Sequence, residues 1–310
     1  MLFAGTNSAT AFFGLNCPLL WLITGSAAMP YRNSIRAFAL LAALCATTVN
    51  TQAWDDAGYP DLKGQWRVIG GPMRFDGSKP WGPGQQAPLT PEYQALYEAN
   101  LRDQAAGGQG LDLTYKCLSP GMPRATNGYG QIEFVVTPDT TYILVQHILD
   151  DRRIHTDGRD WPSEIEPAFL GYSIGKWIDT DGDGRYDLLE VETRHFKGPR
   201  TYDTSGIPLH SDNATVVKER IYLDKADPNV LHDEVTVIDN ALTGPWIVDK
   251  SYRRDPNDKR PYWREVNCAE NNNHVEIGKQ NYMLSADGHL MPTKRDQPPP
   301  DLRYFDQSRK

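Results

Sequence analysis

From Ile132 onward the chain is written in short runs in which apolar and polar side chains alternate. Ile132–Val136 and Thr141–His147 flank a Pro-Asp turn and predict a hairpin. Further runs follow at Ser173–Ile178, Asp187–Arg194, Ala214–Leu223, Val230–Val237, Ile247–Tyr252 and Tyr262–Asn267, with a short one at Tyr282–Leu284. Turn residues separate them, such as Asp181-Gly182-Asp183-Gly184 and Asp227-Pro228-Asn229. In Lys218–Leu223, Glu219, Ile221 and Leu223 share one face, and Lys218, Arg220 and Tyr222 the other. By the same alternation Glu219 and Glu234 fall among inward-facing residues, where a carboxylate must find a base or hold its proton. A one-position slip would turn both to water.

Before this texture the chain reads differently. Gly64–Val68 predicts one short strand, and the Gly and Pro residues from 70 to 84 break regular structure. Thr90-Pro91-Glu92 then opens a helix, with Thr as N-cap and Pro in the first turn, running to about Ala105 and ending at Gly107-Gly108. Its apolar positions Tyr93, Leu96, Tyr97 and Leu101 form one stripe. The organisation expected is a leader over 1–53, a coil and helix preface over 54–130, a β-barrel over 131–290 and a polar tail over 291–310. The fold class is mainly β, an antiparallel barrel of lipocalin or calycin type, with a sandwich as the alternative.

Composition adds a compartment. Residues 1–53 hold Arg32 and Arg36 and no acid. Met29, these arginines, the apolar run Ala37–Ala46 and Thr51-Gln52-Ala53 make a signal peptide, too short to span a membrane. Its removal takes 32 basic against 40 acidic side chains to 30 against 40. That acidic balance argues against nucleic acid as partner. The expected location is the periplasm or outside the cell, with no membrane span after cleavage. Cys117 and Cys268 remain, and an even pair in an exported chain predicts one disulfide, two buried thiols being the alternative.

Three motifs carry candidate chemistry. Asp179, Asp181, Asp183, Arg185 (through its carbonyl), Asp187 and Glu190 fit the spacing of a twelve-position calcium loop, here between strands, so that Ca2+ would be structural. An ordinary Asp-Gly hairpin turn is the competing reading. Gly171-Tyr172-Ser173-Ile174-Gly175 matches the pattern of a serine-hydrolase elbow, but no helix can follow it before the Asp-Gly turn. The polar cluster at His147 and 150–161 offers His155 as acid or base, Asp157 to orient its imidazole, Arg153 and Arg159 to hold an anion, and Trp161 as a stacking face. The plain alternative is a solvated loop of paired charges. His210 is a second proton carrier by type, or a strand cap. No pattern for an organic cofactor is present.

Six pieces together resemble a large family of exported bacterial proteins: Pro88–Tyr93, Cys117–Arg124, Arg152–Arg159, Gly171–Trp177, Leu209–Asp212 and Thr243–Trp246. The resemblance implies a lipocalin-like barrel and no particular activity. It directs attention to Arg124 as a ligand contact, beside Arg153, His155, Asp157, Arg159 and His210. In the family the Asp179–Asp187 loop is a short turn, so calcium would be a local addition.

The expected function is cofactor-free acid–base chemistry (a lyase, isomerase, hydratase or decarboxylase) on a small hydrophobic or aromatic molecule. His155 and His210 would move protons, and Glu219, Arg124 and Trp161 would contact the ligand. The alternatives are a non-catalytic lipocalin-type binding protein and a hydrolase using Ser173.

Overall fold

A computed structural model describes residues 56–146, 151–256, 262–263, 266–268 and 272–302. The leader, His147 and Asp150 lie outside the described residues. Nine strands close a barrel in chain order: β1 (Gln65–Val68), β2 (Ile132–Val136), β3 (Thr140–Val145), β4 (Arg152–His155), β5 (Tyr172–Ile178), β6 (Leu188–Arg194), β7 (Val216–Leu223), β8 (Val230–Ile238) and β9 (Trp246–Arg254). Each antiparallel pair reverses direction, and a ring must return to its starting sense. A nine-stranded ring therefore needs a parallel pair. Here it is β4–β5, where Ile154 stands opposite Ser173 and His155 opposite Ile174; the remaining pairs are antiparallel.

Two strands differ from the pattern read in the sequence. β1 closes the ring between β2 and β9, although it lies far upstream of the other strands. β4 occupies what the sequence presents as a polar loop. It escapes notice because its inward residues include Arg152, which is 4% exposed. The described positions of Tyr262–Asn267 belong to no strand. A separate antiparallel sheet of β10 (His274–Ile277), β11 (Gln280–Leu284) and β12 (Leu290–Pro292) follows. From it the tail returns as a strap, with Tyr282 OH donating to Pro298 O at 3.1 Å. Among the described residues no helix is long and apolar enough to cross a membrane.

The helix α1 (Pro91–Ala105) starts as its sequence dictates, Thr90 Oγ1 accepting from Tyr93 N. It buries Tyr93, Tyr97 and Asn100 and leaves Leu96 exposed, so its inner stripe is partly polar. Tyr97 OH meets Ser205 Oγ at 2.7 Å, and Asn100 Nδ2 donates to Ser205 O at 2.6 Å. Cys117 and Cys268 form the expected disulfide, with Cα atoms 5.5 Å apart.

The barrel interior is filled. Trp66, Ile154, Leu189, Val217, Ile221, Leu231, Val235 and Val237 are fully or almost fully buried. The chamber between Ile132, Phe134, Ile143, Ile221 and Tyr252 measures about 20 Å³, space for one water. Among the described residues this chamber is too small for a lipocalin-type ligand.

Candidate functional site

Because the barrel is full, open cavities lie outside it. One follows the parallel seam. β4 presents Arg153 and His155 outward, and the crossover between β4 and β5 passes beside them. The resulting groove, about 630 Å³, is lined by Arg153, His155, Glu166, Phe169, Tyr172 and Lys197, with Arg152 and Ser173 at its base. Gly175 lets the seam close tightly: a Cβ there would stand 2.6 Å from Ile154 Cγ2. Gly171 has φ +68°, and a Cβ would meet Arg194 O, so the start of β5 requires glycine twice.

His155 lies against Tyr172, ring centroids 4.8 Å apart. Its Nδ1 is buried and has no hydrogen-bond partner. Burial first, and the positive Arg159 second, hold its pKa below the ordinary imidazole value. The imidazole is therefore neutral at neutral pH.

Asp157 does not orient this ring. Its carboxylate is taken in bidentate fashion by Arg159, Nε to Oδ1 at 2.8 Å and Nη2 to Oδ2 at 2.6 Å, and that hydrogen bonding lowers its pKa to about 2. Arg159 also reaches Tyr172 OH at 3.4 Å. Tyr172, hidden inside the G-x-S-x-G pattern, thus touches both His155 and Arg159, and nothing in that pattern singles it out. Trp161 packs nearby, its centroid 6.1 Å from that of Tyr172, but Arg194 covers its ring at 4.7 Å.

Other expected residues go elsewhere. His210 lies against Tyr93 of α1, the rings tilted and their centroids 5.0 Å apart, and its Nδ1 lies 2.9 Å from Asp212 Oδ1. Its own backbone N–H donates to Asp239. It lines no cavity that His155 lines, so the pair of proton-moving histidines is not formed. Ser173 sits inside β5 with Oγ 2.8 Å from Thr193 Oγ1. It is buried mid-strand and no helix follows it, so the strand-to-helix elbow of a serine hydrolase is not formed. Glu219 does face inward and is paired with Arg152 in the interior. Glu234 faces out, bonded to Arg220 and Tyr222; the inward acid on β8 is its neighbour Asp233. Arg124 lies in a different cleft and is saturated by Asp112, Tyr129 and Thr201.

In the acidic loop, ligand-type oxygens of Asp179, Asp181 and Asp183 come within 4.8 Å of one another. Asp179 accepts from the backbone N–H groups of Gly182, Asp183 and Gly184. Asp187 is held by Thr180 instead, with Thr180 N 2.9 Å away. Glu190, on β6, points to Arg220 at 3.6 Å. Arg185 is exposed, and its N–H donates to Asp183 Oδ1 at 2.8 Å. The three central carboxylates have the donor chemistry of a hard-cation site; Asp187 and Glu190 do not join them.

No protein-family model matches the chain, and no curated protein matches it.

Proposed function

We propose that the groove along the β4–β5 seam is an acid–base site, with His155 as the group that takes up and returns a proton. The observation that carries this reading is the imidazole itself. It is half-buried, kept neutral, fixed by Tyr172 and set in a groove of substrate size. A neutral imidazole with one sealed nitrogen offers the other as a base. Arg153 and Lys197 supply positive charge beside the carboxylates of Asp151 and Glu166, and Phe169 and Tyr172 supply apolar and aromatic surface. The substrate class that fits is a small aromatic or hydrophobic molecule carrying an anionic group. Proton transfer next to that group gives lyase, isomerase, hydratase or decarboxylase chemistry without an organic cofactor. The protein acts after export, in the periplasm or outside the cell, where the Cys117–Cys268 disulfide persists.

The test is to incubate the protein with a panel of small aromatic carboxylates and follow each by proton NMR. Conversion by the wild type and at least a hundredfold loss in His155→Gln support the reading. Saturable binding without conversion, unchanged by the substitution, would make the groove a binding site only. Absence of both binding and conversion would remove it.

A further inference from the structure

A second open cleft lies away from His155, beside the disulfide. It has two adjoining lobes of about 580 and 510 Å³, which share Met73, Asp112, Thr114 and Thr204. Three large apolar side chains are left exposed around it: Met73 (51%), Trp81 (49%) and Leu118 (38%).

Trp81 is exposed but not loose. Its Nε1 donates to Thr204 Oγ1 at 3.1 Å, and Thr204 Oγ1 donates to Met73 O at 3.0 Å. Thr204 O in turn accepts from Gln104 Nε2 of α1 at 3.3 Å. The indole N–H is therefore satisfied and the ring is pinned. A fixed aromatic surface in an open cleft loses little entropy when a ring stacks on it.

Charge sets the ligand class. Among the described residues lining the two lobes, Arg124 and Asp112 are the charged ones. They neutralise each other, Nη1 to Oδ1 at 2.8 Å and Nη2 to Oδ2 at 3.0 Å. Tyr129 OH accepts from Arg124 Nε at 2.9 Å and Thr201 Oγ1 accepts from Nη1 at 3.0 Å. An anion would have to break this buried pair to gain a cation, whereas an uncharged ring meets thioether, indole, proline and the disulfide. We infer that this cleft is a second ligand site, taking an uncharged aromatic molecule stacked on Trp81.

The test uses N-phenyl-1-naphthylamine, an uncharged fluorophore, on the purified chain. The expected result is a saturable fluorescence gain, weakened roughly two- to tenfold in Trp81→Ala. Thr204→Val, which unpins a retained Trp81, weakens it too. Ile247→Ala, which removes an exposed apolar residue on the barrel wall, leaves it unchanged. The sulfonated analogue 8-anilinonaphthalene-1-sulfonate binds more weakly than the uncharged probe. No saturable gain, or an equal gain in Trp81→Ala, overturns the site. Equal or tighter binding of the sulfonate overturns the uncharged class.

Discussion

Arg152 and Glu219 face each other inside the barrel, Arg152 Nη1 donating to Glu219 Oε1 at 2.6 Å. Both side chains are sealed from solvent, and Arg152 Nη2 also reaches Thr193 Oγ1 at 3.1 Å. The pair joins β4, the strand at the parallel seam, to β7 across the core. It thereby ties the wall that presents His155 to the rest of the barrel.

Breaking this pair leaves one buried charge without its partner. Glu219→Ala is expected to lower stability by about 3–5 kcal/mol. Replacing both residues, Arg152→Met with Glu219→Leu, removes both desolvation penalties and is expected to recover most of that loss. Chemical denaturation of the wild type, the single and the double variant checks this; a double variant no better than the single contradicts it.

Asp233 and Lys250 are directly opposed across β8 and β9, both inward. Burial holds Lys250 down to about 7 and pushes Asp233 well above the ordinary carboxylate value. Lys250 donates to Phe75 O and to Asn127 Oδ1, the latter at 2.7 Å. Between its folded pKa and the unfolded value of 10.5, the unfolded chain binds a lysine proton that the fold does not. Stability from this group therefore rises with pH across that window. Asp233 has the opposite sign: its contribution is complete below 3.8 and is lost as pH rises through its folded pKa. Melting temperature against pH should lose its alkaline rise in Lys250→Met and its acid-side fall in Asp233→Asn. Curves parallel to the wild type would contradict both assignments.

Much of this architecture is legible in the sequence, and the gaps have physical causes. The alternation from Ile132 onward finds β2, β3 and β5 to β9 because one face of each strand is buried. It misses β4, where an inward position is filled by arginine, and mistakes the phase at Glu234, since the buried acid of β8 is Asp233. It singles out His155, the residue of the proposed site, by residue type alone. It does not find Tyr172, which acts through stacking, nor the parting of His155 from His210, which depends on where the long connections run. Arg124 and Asp112, twelve positions apart, form a pair only after the chain has folded back on itself.

The acidic loop predicts a metal response. If Asp179, Asp181 and Asp183 hold Ca2+, the melting temperature falls when a strong chelator is added and recovers with excess calcium. An unchanged melting temperature in both conditions leaves an ordinary Asp-rich turn.

The disulfide links the cleft wall at Cys117 to Cys268 over a separation of 151 residues. Replacing both cysteines by serine is expected to reduce stability by roughly 2–5 kcal/mol. The same double variant should weaken binding of N-phenyl-1-naphthylamine, because one wall of the cleft is no longer fixed. Unaltered stability and unaltered binding would show that the bond holds neither.

His155 is proposed as a neutral base in a groove that accepts an aromatic anion. Proton NMR titration of its ring, assigned by comparison with His155→Gln, tests this most directly. The expected midpoint in the free protein lies below the ordinary imidazole value. Saturating benzoate should raise it, because an anion beside the ring favours the protonated form. An ordinary midpoint that no aromatic carboxylate moves would contradict the account.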